Sequence, residues 1–157
     1  MKKLSILLSL CLCVISIAAI AQVKTPSNIW ETLLNDVKIK YVYAANYKTY
    51  LPWPKFGDEL KKLDGTEITI NGFFLPVDVT GSVFVISYNP MNMCFFCTGS
   101  GIETIVEINA PSEHIDKFKR LKTDNYIRVK GTLQLNKNDF EHLVYILNNA
   151  ELIEIIK

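Results

Sequence analysis

A mainly β fold, with five curved strands closing into a barrel and a few short helices, is what this sequence predicts, and three observations carry it. Two segments, TEITINGFFLPV and NYIRVKGTLQLN, alternate apolar and polar residues and carry a glycine midway, the pattern of half-buried strands that bend at the glycine. SVFVISY, IETIVEINA and the end of the chain around Leu143, Tyr145 and Leu147 supply three more strands. Turn signals and only short helical stretches separate them. Five curved strands of this kind suit a Greek-key barrel of the OB type, with an open α+β sandwich as the alternative.

Ahead of the barrel, residues 1–21 join Lys2 and Lys3 to an apolar run, Leu4 to Ile20, and end in Ala19-Ile20-Ala21 before Gln22. That is the pattern of a secretory signal peptide cut between Ala21 and Gln22. Serines interrupt the run, which favours cleavage over a retained anchor, and Leu10 before Cys11 is too large for lipoprotein processing. An exported chain follows, periplasmic or associated with an outer surface, with residues 22–157 as one OB-like domain. Cleavage removes two of seventeen basic residues and none of sixteen acidic ones, leaving a net charge of about −1. Basic residues are scattered among acids, so the footprint of a nucleic-acid binder is missing. No second apolar stretch is long enough to span a bilayer.

Taken in order, Asn28 with Glu31 resembles a helix cap, and Trp30, Leu33, Leu34 and Val37 give a helix over 29–36 one apolar face. Val37, Ile39, Tyr41 and Tyr43 then alternate as a strand. In YKTYLPWPKF, the flat side chains Tyr47, Tyr50, Trp53 and Phe56 are candidates for stacking on a sugar or base. Pro52 and Pro54 point rather to an extended cover laid over the sheet. Residues 58–63 form a turn of helix before Asp64-Gly65, and Pro76 ends the first barrel strand. Gly72 marks a bulge or sharp bend in it. The turn at Thr80-Gly81 leads to strand two. SEHIDKFKRL, with Ile115, Phe118 and Leu121 at helical spacing, links strands three and four. Ile127, Val129, Gly131, Leu133 and Leu135 share one face of the fourth strand. The last segment starts as a helix near 138–141, continues as a strand and bends at Asn148-Asn149.

Chemistry concentrates in MNMCFFCTGSG, where Cys94 and Cys97 are the only cysteines beyond the leader. Export favours a disulfide between them, although so short a loop contributes only about 2 kcal/mol in the chain-entropy picture. Dithiol catalysis lacks the helix start and the neighbouring Lys, Arg or His that would activate a thiolate. Two thiolates can instead hold a soft ion. Met91 and Met93 would add thioethers for copper, whereas zinc needs further donors, for which Glu103, His114 and His142 are the candidates. A structural disulfide or buried thiol pair is thus the default, zinc or copper the alternative, and no other cofactor is expected. Serine-hydrolase, phosphate-loop and dinucleotide motifs are missing, and Asp58, Glu59, Asp64 and Asp78 single out no acid and base pair.

Trp30-Glu31-Thr32-Leu33, Phe56 before Leu63-Asp64-Gly65, Gly72-Phe73 through Pro76, Cys94-Phe95-Phe96-Cys97, Gly101 with Glu103, and Gly131-Thr132-Leu133 through Asn136, Asp139, Tyr145 and Ala150-Glu151 occur in this order. In these features the chain resembles a family of short exported bacterial proteins of unknown function with a central C-F-F-C motif. The resemblance implies an exported OB-like domain and supplies no reaction or ligand. Thr98 and Ile102 depart from the pattern, where glycine and proline are expected. The expectation is a non-enzymatic binding or accessory domain with a protein or small-molecule partner. The alternative is a soft-metal or thiol-redox-responsive periplasmic protein using the C-F-F-C pair.

Overall fold

The computed structural model describes residues 27–77, 83–93 and 101–157. Residues 1–26, with the expected leader and its expected cut between Ala21 and Gln22, the expected Thr80-Gly81 turn, and Cys94 and Cys97 lie outside the described residues.

Helix α1, Ser27–Asn35, starts just ahead of the expected cap at Asn28. Its Trp30 and Leu33 are buried, and Leu34 and Val37 pack against the same core. Two long-range hydrogen bonds pin it to the barrel. The Trp30 indole N–H donates to the Asn71 carbonyl at 2.6 Å, and the buried Tyr145 hydroxyl donates to the Leu33 carbonyl at 2.7 Å.

Strands β1, Val37–Ala44, and β2, Thr49–Phe56, form an antiparallel hairpin that is its own two-stranded sheet. The segment expected as an extended cover is a regular strand paired with β1. Pro52 and Pro54 are tolerated because each strand of a two-stranded ribbon keeps an edge on which no N–H is needed. Helix α2, Asp58–Leu63, follows, and the chain turns at Gly65, whose φ of +77° favours glycine.

Strands β3 (Glu67–Pro76), β4 (Phe84–Ser87), β5 (Ile105–Asn109), β6 (Tyr126–Leu135) and β7 (Tyr145–Ile155) close into a barrel in the order β3-β4-β5-β7-β6. β6 pairs antiparallel with β3 and shuts it, and β5 and β7 run parallel. Helix α3, Ser112–Lys119, lies between β5 and β6 in the chain. This is a mainly β, OB-like barrel, and closure rules out the open sandwich.

Alternation places Ile68, Ile70 and Phe74 of β3 and Ile127, Val129, Leu133 and Leu135 of β6 in one buried core with Val106, Tyr145 and Leu147. Gly72 does not bulge; it pairs in register with Ile127. Its role is close approach, since a β-carbon there would lie 2.5 Å from the Ser87 carbonyl oxygen. The irregular pairing falls between β6 and β7, once between Arg128 and Val129 opposite Ile153 and once at Gly131 opposite Asn149 and Ala150, where Asn149 has a φ of +51°. Leu75, Val85 and Ile105 make a second buried cluster, with Leu143 packed on it. Leu75 and Val85 are neighbours in the register and alternate with the core-facing Phe74, Phe84 and Ile86, so this cluster sits on the opposite side of the sheet from the main core.

Three further expectations are corrected. Residues 102–104 form a tight 3₁₀ turn, so the third barrel strand starts only at Ile105. Residues 138–141 are turns and bends, not a helix, and Leu143 packs on the second cluster instead of joining Tyr145 and Leu147.

Candidate functional site

The loop from Asn136 to Val144, between β6 and β7, is organised by one side chain. Asn136 is buried. Its two amide hydrogens are shared among the carbonyls of Asp139 (2.6 Å), His142 (3.1 Å) and Leu143 (3.1 Å). Its oxygen accepts from the N–H groups of Asn138 and Asp139, at 3.3 and 3.0 Å. Asp139 in turn accepts from the Glu141 N–H at 2.9 Å. An irregular loop thereby satisfies its backbone without a helix.

Glu107 of β5 fastens this loop to the barrel. One carboxylate oxygen meets His142 Nδ1 at 2.8 Å and the other accepts the Leu143 N–H at 3.1 Å. The hydrogen bond to Glu107, with its charge, holds the His142 pKa above the ordinary value, and partial burial opposes this only in part.

The β1–β2 hairpin approaches the loop from the other side. Trp53 packs on Phe140 with ring centroids 5.0 Å apart, and Tyr47 meets the same ring edge-on at 6.1 Å. The Tyr47 hydroxyl donates to the Glu141 carboxylate, which raises the Tyr47 pKa. Between hairpin and loop lies an open cleft of about 210 Å³. Leu51, Pro52, Trp53 and Pro54 form one wall, Phe140, Leu143 and Val144 the other, with Ile102 between them and Asn136, Asp139 and His142 at its polar side. An apolar concavity with a few convergent polar groups is the usual form of a small-molecule site.

Asp139 and His142 also border a second, more polar hollow on the barrel wall. There Asn109 donates to Asn148 at 2.8 Å and Asn148 to Gln134 at 2.7 Å, a row of amides across β5, β7 and β6.

The residues singled out from sequence scatter. Of the stacking candidates, Trp53 lines the cleft and Tyr47 braces its loop wall. Tyr50 is exposed and does not line the cleft, and Phe56 is buried against Tyr145. Phe56 is therefore a core residue and cannot stack on a ligand. Met91 and Met93 lie on an exposed 3₁₀ turn held by a 2.7 Å bond from the Met91 N–H to Asp124. Glu103, His114 and His142 are not brought together, and among the described residues no three His, Cys, Asp or Glu side chains cluster as metal ligands would. Glu103 Oε2 and His114 Nδ1 are each buried without a hydrogen-bond partner. Sequence reasoning missed Leu51, Phe140 and Asn136. The turn-rich run Asn136-Lys137-Asn138-Asp139 was the available signal for the last.

No protein-family model matches this sequence, and no match to it is found among curated proteins. Among the described residues no helix is long and apolar enough to cross a membrane.

Proposed function

We propose that this chain is an exported OB-like binding or accessory module whose ligand seat is the cleft between β2 and the 136–144 loop. The observation that carries the reading is the cleft itself: an apolar concavity walled by Trp53 and Phe140 in a region of exposed hairpin and loop. Its polar groups favour holding over reacting. Asn136 is fully engaged with backbone, His142 with Glu107, and Asp139 with the Glu141 N–H, so each is fixed in place by the fold. Likeness to the short exported proteins with a central C-F-F-C motif belongs to the same proposal, as does export itself. The test uses anilinonaphthalene sulfonate, an apolar aromatic anion, as probe. Saturable binding that weakens at least tenfold in Trp53→Ala and in Phe140→Ala supports the cleft. Binding unchanged in both variants removes it.

A second reading, a soft-metal or thiol-responsive protein using Cys94 and Cys97, has one observation in its favour. Glu103, six residues after Cys97 in the chain, keeps a carboxylate oxygen buried without a partner, an arrangement that costs free energy unless something else uses it. Tight zinc or copper(I) binding by the reduced protein, lost in Cys94→Ser, Cys97→Ser and weakened in Glu103→Gln, would establish it. Absence of metal binding in the reduced protein would end the metal form of this reading, and a Cys94–Cys97 pair that neither oxidises nor reduces across physiological redox conditions would end the thiol form.

A further inference from the structure

One wall of the cleft is an edge of β2, and that edge has a chemical bias. Successive side chains of a strand point to opposite faces, yet Leu51, Pro52, Trp53 and Pro54 all line the cleft. The cleft therefore runs along the edge of β2 that is not paired with β1. Pro52 and Pro54, set across from Tyr41 and Ile39, have no N–H to give to the ladder, so their ring nitrogens turn away from β1. In an antiparallel pair a residue's nitrogen and carbonyl point to the same edge. The cleft wall thus presents the Pro52 and Pro54 carbonyls, about 7 Å apart, and no N–H between them. Among the described residues neither carbonyl accepts a backbone hydrogen bond from another loop or turn. The remaining groups have the same sign. Trp53 and Phe140 meet at 54° with centroids 5.0 Å apart, and an aromatic face carries partial negative charge. Asp139 is exposed and lines the cleft; one of its oxygens takes the Glu141 N–H and the second is left to solvent. No Lys or Arg is among the described lining residues. Lys40 lies across from Trp53 in the ribbon without lining the cleft, and His142 is bonded to the Glu107 carboxylate.

We propose that the cleft selects a small ligand with an apolar body and a primary ammonium head, an inference that rests on the cleft being the ligand seat. The body lies against Leu51, Trp53 and Phe140. An ammonium carries three donors and no acceptor, the complement of a wall that accepts through the proline carbonyls and Asp139. Its charge is also attracted to the two ring faces. A carboxylate or phosphate head in the same place would meet acceptors and a like charge. Nucleic acid is disfavoured by Asp139 and by the lack of a lining Lys or Arg for its phosphates. Two rings tilted at 54° make a corner, not a parallel platform on which successive bases or sugars would stack.

The test is an NMR titration at one pH with three probes that share a naphthylmethyl body: 1-naphthylmethylammonium, 1-naphthylmethanol and 1-naphthylacetate. The ammonium is expected to bind at least tenfold more tightly than the carboxylate, and more tightly than the alcohol. It should also shift the carbonyl carbons of Pro52 and Pro54, which are read through the amides of Trp53 and Lys55. Asp139→Asn, which keeps an oxygen to accept the Glu141 N–H, should cut the ratio of ammonium to carboxylate affinity at least fivefold. A change that merely loosens the cleft would weaken both ligands and leave that ratio alone. Equal affinities with shifts at 51–54, Ile102 and 136–144, or the same ratio in Asp139→Asn, overturn the proposal and leave the cleft as a ligand seat. An alcohol that binds as tightly as the ammonium also overturns it and assigns the edge to neutral hydroxyl donors. If none of the three shifts those residues, the proposal falls as well, and the anilinonaphthalene sulfonate titration decides separately whether the cleft is a seat at all.

Discussion

Asn136 shows how a single side chain decides local structure. Its amide closes five hydrogen bonds to the loop backbone, so Asn136→Ala should cost about 2–4 kcal/mol in chemical denaturation. Asn136→Asp, nearly the same shape, should be worse than alanine because its carboxylate would face three carbonyl oxygens with nothing to donate. Equal effects of the two changes would mean that the amide hydrogens matter little. Tyr145 is the corresponding tie to α1. Its phenol is buried, which pushes its pKa far up and keeps the hydroxyl a donor to Leu33. Tyr145→Phe should cost about 1–2 kcal/mol by orphaning that carbonyl, readable as a lower midpoint in urea. At this scale the sequence was an uneven guide. It identified Trp53 as a surface aromatic of interest, but Phe56, of the same type in the same segment, is core, because side-chain direction depends on a pairing with β1 that local composition does not reveal.

Among the elements, those read most directly were the ones whose burial repeats every second residue. β3 and β6 bury Ile68, Ile70, Ile127, Val129, Leu133 and Leu135, and α3 follows its apolar spacing. β2 was hidden by Pro52 and Pro54, which argue against a strand only where both edges are paired. The 136–144 loop was hidden because side-chain bonds to the backbone replaced the expected helix. That loop is also where pH should act. The His142 pKa is raised in the folded protein by Glu107, so its stabilising contribution is complete below about pH 6.5 and is lost as pH rises through the higher folded value. The Leu143 N–H bond to Glu107 does not depend on that proton, so the loop should loosen without detaching. A histidine titration followed by NMR should give a pKa above 6.5 for His142, and Glu107→Gln should bring it back down. An unshifted His142 would mean that the contact does not hold in solution.

For the whole molecule, the five barrel strands and their closure were legible because glycine-centred alternation recurs in β3 and β6, whereas the parallel pairing of β5 with β7 was not. At Gly72 the physical reason is the neighbouring strand: Gly72→Ala would force a β-carbon toward the Ser87 carbonyl and should destabilise the barrel by about 1–3 kcal/mol. The site was much less legible, since the cleft draws on residues 51–54, Ile102 and residues 136–144, and only folding brings these together. The tool to examine it is a ¹⁵N-resolved NMR titration with anilinonaphthalene sulfonate. Binding in the cleft predicts saturable shifts concentrated at residues 51–54, Ile102 and 136–144, and their loss in Phe140→Ala. Saturable shifts confined to the amide row of β5, β7 and β6, or to the exposed tyrosines of the hairpin, would contradict it.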